Sequence, residues 1–361
     1  MRLGIIGLPQ SGKTTIFNAL TRGRQPVTTS GGRFEVHTGV VNVPDERVDQ
    51  LSALFKPKKT VYAKVTYADI AGLEGSDKVD KASKVSISGP LLNQLTQMDG
   101  FIQVVRVFED KSVPHPFGSV DPLRDIESMD TELLINDMIV VERKMERLDE
   151  ERRKGGGREK ALIDREKALF ERLNSTLGQG KPLRDMDLTP EEEKALSGFG
   201  LLTRKPILIL LNLSEGQAPP KIEYTHQKSG VVALQGKLEM DISQLPPDEA
   251  EIFLAEYGIE ESGLNRVIRC SYQIMGLQSF FTVGPEEVHA WTICRGVTAY
   301  EAAGEIHSDL QKGFIRAEVI AHHDLIALGG LSEARAKGKL RLEGKDYVVQ
   351  DGEIVHIRFN V

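Results

Sequence analysis

The sequence predicts an α/β fold with a doubly wound, mostly parallel sheet, an inserted helical hairpin and a small α+β domain at the end. Three observations support this prediction. Short apolar runs of strand length alternate with loops and helical stretches up to Asp130. A seven-residue apolar repeat then interrupts the pattern, and the last part of the chain mixes strand and helix signals.

The strands of the predicted sheet are read from apolar runs. Leu3–Ile6, Val61–Tyr67 and Phe101–Phe108 are three of them, and the apolar positions of Val61–Tyr67 alternate as in a half-buried strand. Ile207–Leu211 is continuously apolar, which is typical of a strand covered on both faces. Val231–Leu234 is the predicted last strand of this domain.

The inserted hairpin is predicted from two helical repeats around three glycines, residues 155–157. The first repeat forms an antiparallel coiled-coil seam with the second. The apolar positions are Leu134, Met138, Val141, Met145 and Leu148, then Leu162, Leu169, Leu173 and Leu177. The tip is basic, which fits either a solvated helix end or a contact for an acidic partner such as RNA; its cations are Arg152, Arg153, Lys154, Arg158 and Lys160.

The C-terminal segment predicts a small mixed domain. His289–Ile293 alternates like a strand, Ala299–Leu310 is helical, and Asp351-Gly352 predicts a hairpin between Tyr347–Gln350 and Glu353–Phe359. We therefore expect a nucleotide-binding domain at 1–130 and 199–277, a hairpin at 131–198 and a C-terminal domain at 278–361.

Composition narrows the class of protein. Lys and Arg number 46 and Asp and Glu 53, a net charge of −7 that argues against bulk electrostatic binding of nucleic acid. Two cysteines exclude a disulfide scaffold and favour a reducing compartment. The apolar runs are too short for a membrane helix, and Met1-Arg2 leads directly into a strand, so we expect a cytoplasmic protein.

A glycine-rich loop follows the first strand. Residues 7–14 fit the pattern G-x-x-x-x-G-K-[ST] between a strand and a helix, the context that a phosphate-binding P-loop requires. Glycine lets the backbone N–H groups turn toward phosphate oxygens, and the helix N-terminus adds its dipole. We predict a P-loop NTPase whose nucleotide contacts here are Gly7, Pro9, Gln10, Ser11, Gly12, Lys13, Thr14 and Thr15.

The catalytic groups are predicted around the phosphates. Lys13 would contact the β- and γ-phosphates, and Thr14 and Asp69 would hold Mg²⁺. Asp69 begins a D-x-x-G sequence whose Gly72 would donate its N–H to the γ-phosphate.

Leu73 follows this glycine, where related switches often place a Gln that orients the attacking water. Leu cannot hydrogen-bond water, so hydrolysis is either slow or assisted by another side chain. His115, in the loop after Phe101–Phe108, is the catalytic candidate; the alternative is an ordinary surface-loop histidine.

The base is expected at Asn212, Leu213 and Glu215, after the strand Ile207–Leu211. A guanine-reading N-K-x-D motif would sit here, but Glu is one methylene longer than Asp and Leu213 replaces Lys. The sequence therefore predicts a weakened preference for guanine without a clear code for adenine. The alternative interpretation of Asn212 and Glu215 is a polar cap on the strand.

With these residues in order, the chain resembles the Obg-like ATPase family, the YchF group of P-loop NTPases related to translation factors. The resemblance covers nearly the whole chain. The matching stretches are Gly39–Val41, Val43–Asp45, Asp69–Leu73, Val104–Asp110, Val120–Glu127, Asn212–Glu215, Glu260–Arg269, Phe281–Gly284, Ala290–Ile293, Lys312–Ile315 and Gly338–Val361.

The resemblance implies an ATPase rather than a GTPase, with Mg²⁺ as cofactor and ATP as substrate. It implies that a histidine at the position of His115 acts in hydrolysis and that 278–361 is a β-grasp-like TGS domain. It also implies the ribosome or rRNA as partner, bound through the hairpin and the TGS domain; neither a membrane nor specific DNA is expected. Three features depart from the family: Gln10 replaces Asn, Arg33 replaces a switch Thr, and Glu74–Pro90 replaces a glycine-rich stretch.

Two other functions remain open from the sequence. One is a GTP-binding switch GTPase, if Glu215 accepts guanine. The other is a nucleotide-binding regulatory protein with negligible hydrolysis, which Leu73 and the missing switch threonine favour.

Overall fold

Two units make up the described part of the chain. The computed structural model describes residues 1–23, 36–70, 87, 89–154, 157–256 and 261–360. The first unit contains Met1–Gly39 and Thr66–Val267, and the second contains Val40–Val65 and Ile268–Val361. The predicted nucleotide-binding domain includes residues 40–65, whereas the contacts group them with the second unit. Within these ranges, we find no helix whose length and apolar character would allow it to span a bilayer.

The strands of the described residues form two six-stranded sheets. In chain order they are β1 Arg2–Ile6, β2 Val36–Asn42, β3 Lys59–Val61, β4 Lys64–Ile70, β5 Gly100–Arg106, β6 Ile207–Asn212, β7 Ser229–Leu234, β8 Leu277–Val283, β9 Glu287–Cys294, β10 Phe314–Ala321, β11 Arg341–Glu343 and β12 Glu353–Phe359.

The helices in the same ranges include one that is much longer than the others. They are α1 Lys13–Thr21, α2 Glu46–Phe55, α3 Gly89–Thr96, α4 Pro122–Lys154, α5 Lys160–Gly178, α6 Pro190–Leu196, α7 Gly236–Ser243, α8 Pro247–Glu256, α9 Gly263–Ile274, α10 Ala299–Ile306, α11 Ser308–Lys312, α12 His322–Leu328 and α13 Leu331–Ala336, with a 3₁₀ turn at Leu183–Asp185.

The first sheet has the order β2-β4-β1-β5-β6-β7, and the pairs from β4 to β7 are parallel. This confirms the predicted doubly wound α/β fold, because β1 lies between strands that come later on both sides. Ligands of such sheets bind at the carboxyl edge where the winding reverses, here between the loops that follow β1 and β5. Both β5 and β6 are buried along their whole length.

The helical insertion consists of α4 and α5. Ion pairs join Arg152 to Asp164 and Asp149 to Lys167, so one helix ascends in number while the other descends, and the two are antiparallel. The seam of α4 packs on α5 as the repeat predicts, with Val141, Leu148, Phe170, Leu173 and Leu177 in one apolar cluster. The prediction that Leu162 lies in the seam is wrong. Leu162 is 52% exposed, and its neighbour Ile163 is buried in the cluster instead.

The start of α4 belongs to a different core. Ile126, Met129 and Leu133 are buried in the apolar cluster of the first sheet, whereas Val141 and Leu148 are buried against α5. The helix begins at Pro122 and continues without a break into the insertion. The predicted domain boundary at residue 131 therefore lies inside one continuous helix.

The second sheet has the order β11-β10-β12-β8-β9-β3. β8 and β9 form an antiparallel hairpin, α10 follows, and β12 returns parallel to β8, which is the arrangement of a β-grasp. The hairpin predicted between Tyr347–Gln350 and Glu353–Phe359 is wrong, because β12 pairs with β10 and β8. The turn at Asp351 is fixed instead by the backbone N–H of Ser279, which donates to its carboxylate at 3.0 Å.

Two further predicted elements are divided in the structure. Val61–Tyr67 contains the end of β3 and the start of β4, which belong to different sheets. The helix predicted at Ala299–Leu310 is interrupted at His307, whose extended backbone (φ −165°) separates α10 from α11. Neither break has an apolar-pattern signal, because both depend on tertiary pairing and capping.

Asp137 links α4 to the segment that precedes β6. Its buried carboxylate accepts hydrogen bonds from Leu202 N at 2.7 Å, Thr203 N at 2.8 Å and Thr203 Oγ1 at 2.6 Å. We predict that Asp137→Asn lowers the free energy of unfolding by roughly 2–4 kcal/mol, because an amide NH₂ would then face N–H donors in a buried site. Urea denaturation measures this change.

The matched control is Asp149→Asn on the same helix. Asp149 is half exposed and paired with Lys167, so its loss should cost less than about 1 kcal/mol. Equal losses for the two variants would contradict a special role for Asp137.

Candidate active site

Two glycines of the loop between β1 and α1 have backbone angles that other residues rarely adopt. Gly7 has φ 148° and Gly12 has φ 95°, both in the left-handed region. A Cβ at Gly7 would lie 2.4 Å from Val104 O, and one at Gly12 would lie 2.3 Å from Asn212 Nδ2. These two positions therefore need glycine for both conformation and space.

The remaining predicted P-loop residues line the same turn. Gln10 has φ 60° without being glycine, and Ser11 is buried. Gln10 Oε1 and Ser11 Oγ are buried and have no hydrogen-bond partner in the described residues. Pro9 and Thr15 are half-buried. Unpaired buried polar atoms are costly, so their presence in this loop indicates a site prepared for a polar ligand.

Lys13 begins α1 directly after the left-handed Gly12. Its Nζ donates to Leu8 O at 2.9 Å, which closes the loop on itself. An ammonium has three N–H donors, so this contact is compatible with phosphate binding. The first N–H groups of a helix have no intrahelical acceptor, and α1 has no acidic residue in its first turn, so this terminus suits an anion.

Asp69 at the end of β4 lies beside Thr14. Thr14 Oγ1 donates to Asp69 Oδ2 at 2.9 Å, whereas Asp69 Oδ1 is buried without a hydrogen-bond partner in the described residues. Burial raises the pKa of Asp69; the Thr14 hydrogen bond and the charges of Lys13 and His37 oppose this shift. The pair thus combines a hydroxyl with an incompletely satisfied carboxylate.

These two oxygens fit Mg²⁺, which prefers hard oxygen ligands and keeps several sites for water and phosphate. In the described ranges, no group of three or more His, Cys, Asp and Glu could hold a metal alone. Thr14 and Asp69 are the residues that would hold the ion, with phosphate and water as its remaining ligands. When bound, Mg²⁺ neutralises charge on the β- and γ-phosphates.

Asn212 joins three loops at the carboxyl edge of the sheet. Its Nδ2 donates to Ser11 O at 3.0 Å, and its Oδ1 accepts from Gly236 N at 3.1 Å. The N–H groups of Val107 and Phe108 both donate to Asn212 O, at 2.9 and 3.1 Å. Asn212 therefore holds the P-loop, the loop after β5 and the start of α7 together.

The other two predicted base contacts have different surroundings. Leu213 is buried in the apolar core of the first sheet, so its side chain is packed away from solvent. Glu215 is exposed on a turn, and no hydrogen bond or ion pair to its carboxylate occurs in the described residues. Of the two, Glu215 is the side chain accessible to a base.

The side chain of His115 is only 4% exposed, contrary to the alternative of a surface-loop histidine. Its Nε2 lies 2.9 Å from Asp125 Oδ2, and Phe117 N donates to Nδ1 at 3.1 Å. Because Nδ1 accepts a hydrogen bond, the neutral ring carries its proton on Nε2, and this N–H donates a hydrogen bond to the Asp125 carboxylate. Arg124 donates to the other oxygen of Asp125 at 2.8 Å. Both ring nitrogens are occupied, so His115 must release one contact before it can orient a water.

The comparisons with known proteins agree with this geometry. A family model described as "50S ribosome-binding GTPase" matches residues 2–144, and one for the C-terminal region of YchF GTPases, described as "Protein of unknown function (DUF933)", matches residues 277–360. The chain is 40% identical over 373 residues to the ribosome-binding ATPase YchF of Bacillus subtilis, with 99% of each chain covered. The chain belongs to the YchF/Obg-like ATPase family.

Other members of this family are similar over the same length. Obg-like ATPase 1 of Oryza sativa is 37% identical, with 100% of this chain and 92% of that protein covered. The solved structure of the Schizosaccharomyces pombe YchF GTPase superposes with a TM-score of 0.82 at 30% identity, covering 99% of this chain and 97% of that one. The P-loop domain, helical insertion and C-terminal domain are thus those of the YchF family.

Several expected features of this YchF-family site fall outside the described residues. They include Gly72, Leu73 and Arg33, and all of Glu74–Pro90 except residues 87, 89 and 90. The γ-phosphate contact of Gly72 therefore stays a prediction, as does the catalytic role of His115.

Sequence reasoning missed three residues that shape the site. Gly236 supplies the N–H that Asn212 accepts, and a Cβ there would lie 2.5 Å from Asn212 Oδ1. Arg106 is buried and donates to Val113 O at 2.9 Å, which orders the loop that leads to His115. Gln217 bonds to the turn that carries Glu215. None of them belongs to a motif: Arg106 lies inside the predicted strand Phe101–Phe108, and Gly236 and Gln217 lie in the segments after two other predicted strands.

We predict that Asp69→Asn abolishes the stabilisation that Mg²⁺ and nucleotide together give, because the metal loses its anionic ligand. The ligand-free variant should melt no lower than the wild type at pH 7. Thermal melts with and without Mg²⁺ and nucleotide measure both effects.

The pH dependence provides the check on this prediction. Burial raises the pKa of Asp69 in the folded state above its value in the unfolded state. Below the unfolded pKa the carboxyl group is protonated in both states and burying it carries no charge penalty. As pH rises through the folded pKa, the buried carboxylate becomes charged and the wild type loses this stability. The advantage of Asp69→Asn should therefore shrink as pH falls. A variant that melts lower at pH 7 and keeps the Mg²⁺ effect would contradict this role.

Proposed function

We propose that this chain is a Mg²⁺-dependent ATPase that associates with the ribosome in the cytoplasm. The observation that carries the proposal is the cluster of Lys13, Thr14 and Asp69 at the carboxyl edge of the sheet, with Asn212 holding the base-side loop against the P-loop. Phosphoryl transfer needs mainly positioning and electrostatic stabilisation, which a lysine, a helix N-terminus and a metal supply.

The choice of ATP rests on Glu215. The relatives from Bacillus subtilis and Oryza sativa are named ATPases, whereas the Schizosaccharomyces pombe protein is named a GTPase. Glu215 is exposed and has no partner in the described residues, so its longer carboxylate is free to accept from the N6 amino group of adenine. Its extra methylene disfavours the paired contact that an Asp makes with guanine.

Calorimetric titration with Mg²⁺ tests nucleotide choice. We expect ATP to bind at least tenfold tighter than GTP, and Lys13→Ala to weaken ATP by at least tenfold, since it removes a phosphate contact. Phosphate release from wild type and His115→Ala then separates hydrolysis from binding: the variant should bind ATP normally and hydrolyse it more slowly. If GTP binds as tightly as ATP or more tightly, the result would instead support the GTPase alternative.

The partner is proposed from the Bacillus subtilis relative, which is named ribosome-binding, and from two surfaces of this chain. At the hairpin tip, Arg152, Lys154 and Arg158 already pair with acidic residues of the insertion. Arg153 and Lys160 have no ion pair in the described residues and are exposed. This distribution supports a limited contact with RNA at the tip.

We assign residues 278–361 to a TGS domain because their strands have the β-grasp arrangement. The second sheet of the structure also offers a basic surface. Arg316 and Arg358 lie directly opposite each other on β10 and β12. Like charges in this position destabilise a sheet unless an anion lies nearby. Glu318 contacts Arg358 and Arg335, and no ion pair to Arg316 occurs in the described residues. RNA phosphates would balance the remaining positive charge.

Ribosome co-sedimentation tests these surfaces. We predict that Arg316→Glu weakens binding several-fold and flattens its salt dependence, because fewer counterions are released. Arg153→Glu should have a smaller effect in the same direction. Arg295→Glu is the control, since it makes the same charge change at an exposed turn of the C-terminal domain. If all three variants bind like wild type, neither surface contacts the ribosome.

A further inference from the structure

The turn that carries Glu215 is held by one side chain. Gln217 Oε1 accepts from Ser214 N at 2.9 Å, and Gln217 N donates to Ser214 O at 3.2 Å. Gly216, with φ 69°, gives the turn its left-handed residue. The backbone and side chain of Gln217 therefore both close the turn around Glu215.

The same side chain ties the turn to a distant strand. Gln217 Nε2 donates to Val107 O at 3.1 Å, and Val107 follows β5. The N–H of Val107 in turn donates to Asn212 O at 2.9 Å. Gln217 and Asn212 thus hold the two ends of the segment 212–217 against the same residue.

The residues between these anchors differ in freedom. Leu213 is buried, and its N–H donates to Leu234 O at 2.9 Å, so the start of the segment is fixed by the core. Glu215 is exposed and lies on the part of the segment whose position depends on Gln217. Without the Gln217 side chain, the turn would keep the hydrogen bond from the backbone N–H of residue 217 to Ser214 O but lose its attachment to Val107.

We propose that Gln217 is a positioning residue for base selection: it holds the turn so that Glu215 meets the adenine at a fixed place. This rests on the proposed ATP function. A carboxylate on a loose turn would still bind a base but would distinguish adenine from guanine poorly, because discrimination requires a fixed donor–acceptor geometry. The phosphate contacts at Lys13 and Thr14 do not involve Gln217.

The experiment compares Gln217→Met, which removes both side-chain hydrogen bonds, with Gln217→Glu, which keeps the acceptor for Ser214 N and loses the donor to Val107 O. Calorimetry gives the affinities for ATP, GTP and inorganic tripolyphosphate, each with Mg²⁺. We expect the ratio of ATP to GTP affinity to fall at least threefold in both variants, while tripolyphosphate binds as in wild type. Gln97→Met is the control, an exposed glutamine of the same unit.

A merely structural role would have a different signature. If ATP, GTP and tripolyphosphate all weaken together, or if the ratio does not change, the proposal is overturned. Glu215→Ala adds a second test: Gln217→Met should reduce selectivity no further in that background, and additive losses would contradict action through Glu215. A wild-type protein without preference for ATP would instead refute the proposed ATP function itself. Should Gln217→Met fail to fold, Gln217→Glu alone decides.

Discussion

The geometry of the site depends on a single amide side chain. Asn212 lies at the end of β6, and its two polar atoms bind the backbone of the P-loop and of the first residue of α7. Gly12 and Gly236 must be glycine because the amide leaves no room for a Cβ at either place. Since backbone positions set where phosphates and a base can bind, this clamp couples the nucleotide loops to the most buried strands of the sheet.

Several buried polar atoms near Asn212 destabilise the ligand-free protein. Ser11 Oγ, Gln10 Oε1 and Asp69 Oδ1 are buried without hydrogen-bond partners in the described residues, and each such atom costs about 1–3 kcal/mol. The apolar cluster of the first sheet includes Ile6, Leu8 and Ile70, which are close in sequence to these atoms and offer them no side-chain hydrogen bond. Ser11 Oγ can donate to a phosphate oxygen and Asp69 Oδ1 can contact a metal ion, so Mg²⁺ and nucleotide would recover part of this free energy on binding.

The helical insertion is continuous with the nucleotide-binding fold through one helix, α4. α4 contributes Met129 and Leu133 to the core of the first sheet and Val141 to the core of the insertion. Asp137 lies between them and bonds to the chain before β6. A displacement of the insertion must therefore move a helix that also packs on the sheet, whose loops hold Asn212 and His115.

Features that depend on local spacing are predictable from the amino-acid sequence. Glycine conformation and apolar periodicity are local properties, so residues a few positions apart are enough to predict them. This is why the sequence predicts the P-loop, the buried strand Ile207–Leu211 and the seam around Val141. Contacts between residues far apart in the chain are not predictable in this way. Asn212 reaches Ser11 over 201 positions and Gln217 reaches Val107 over 110, and β12 pairs with β10 rather than with its neighbour in sequence. Such contacts follow from how the strands are ordered in the sheets, which no local pattern specifies.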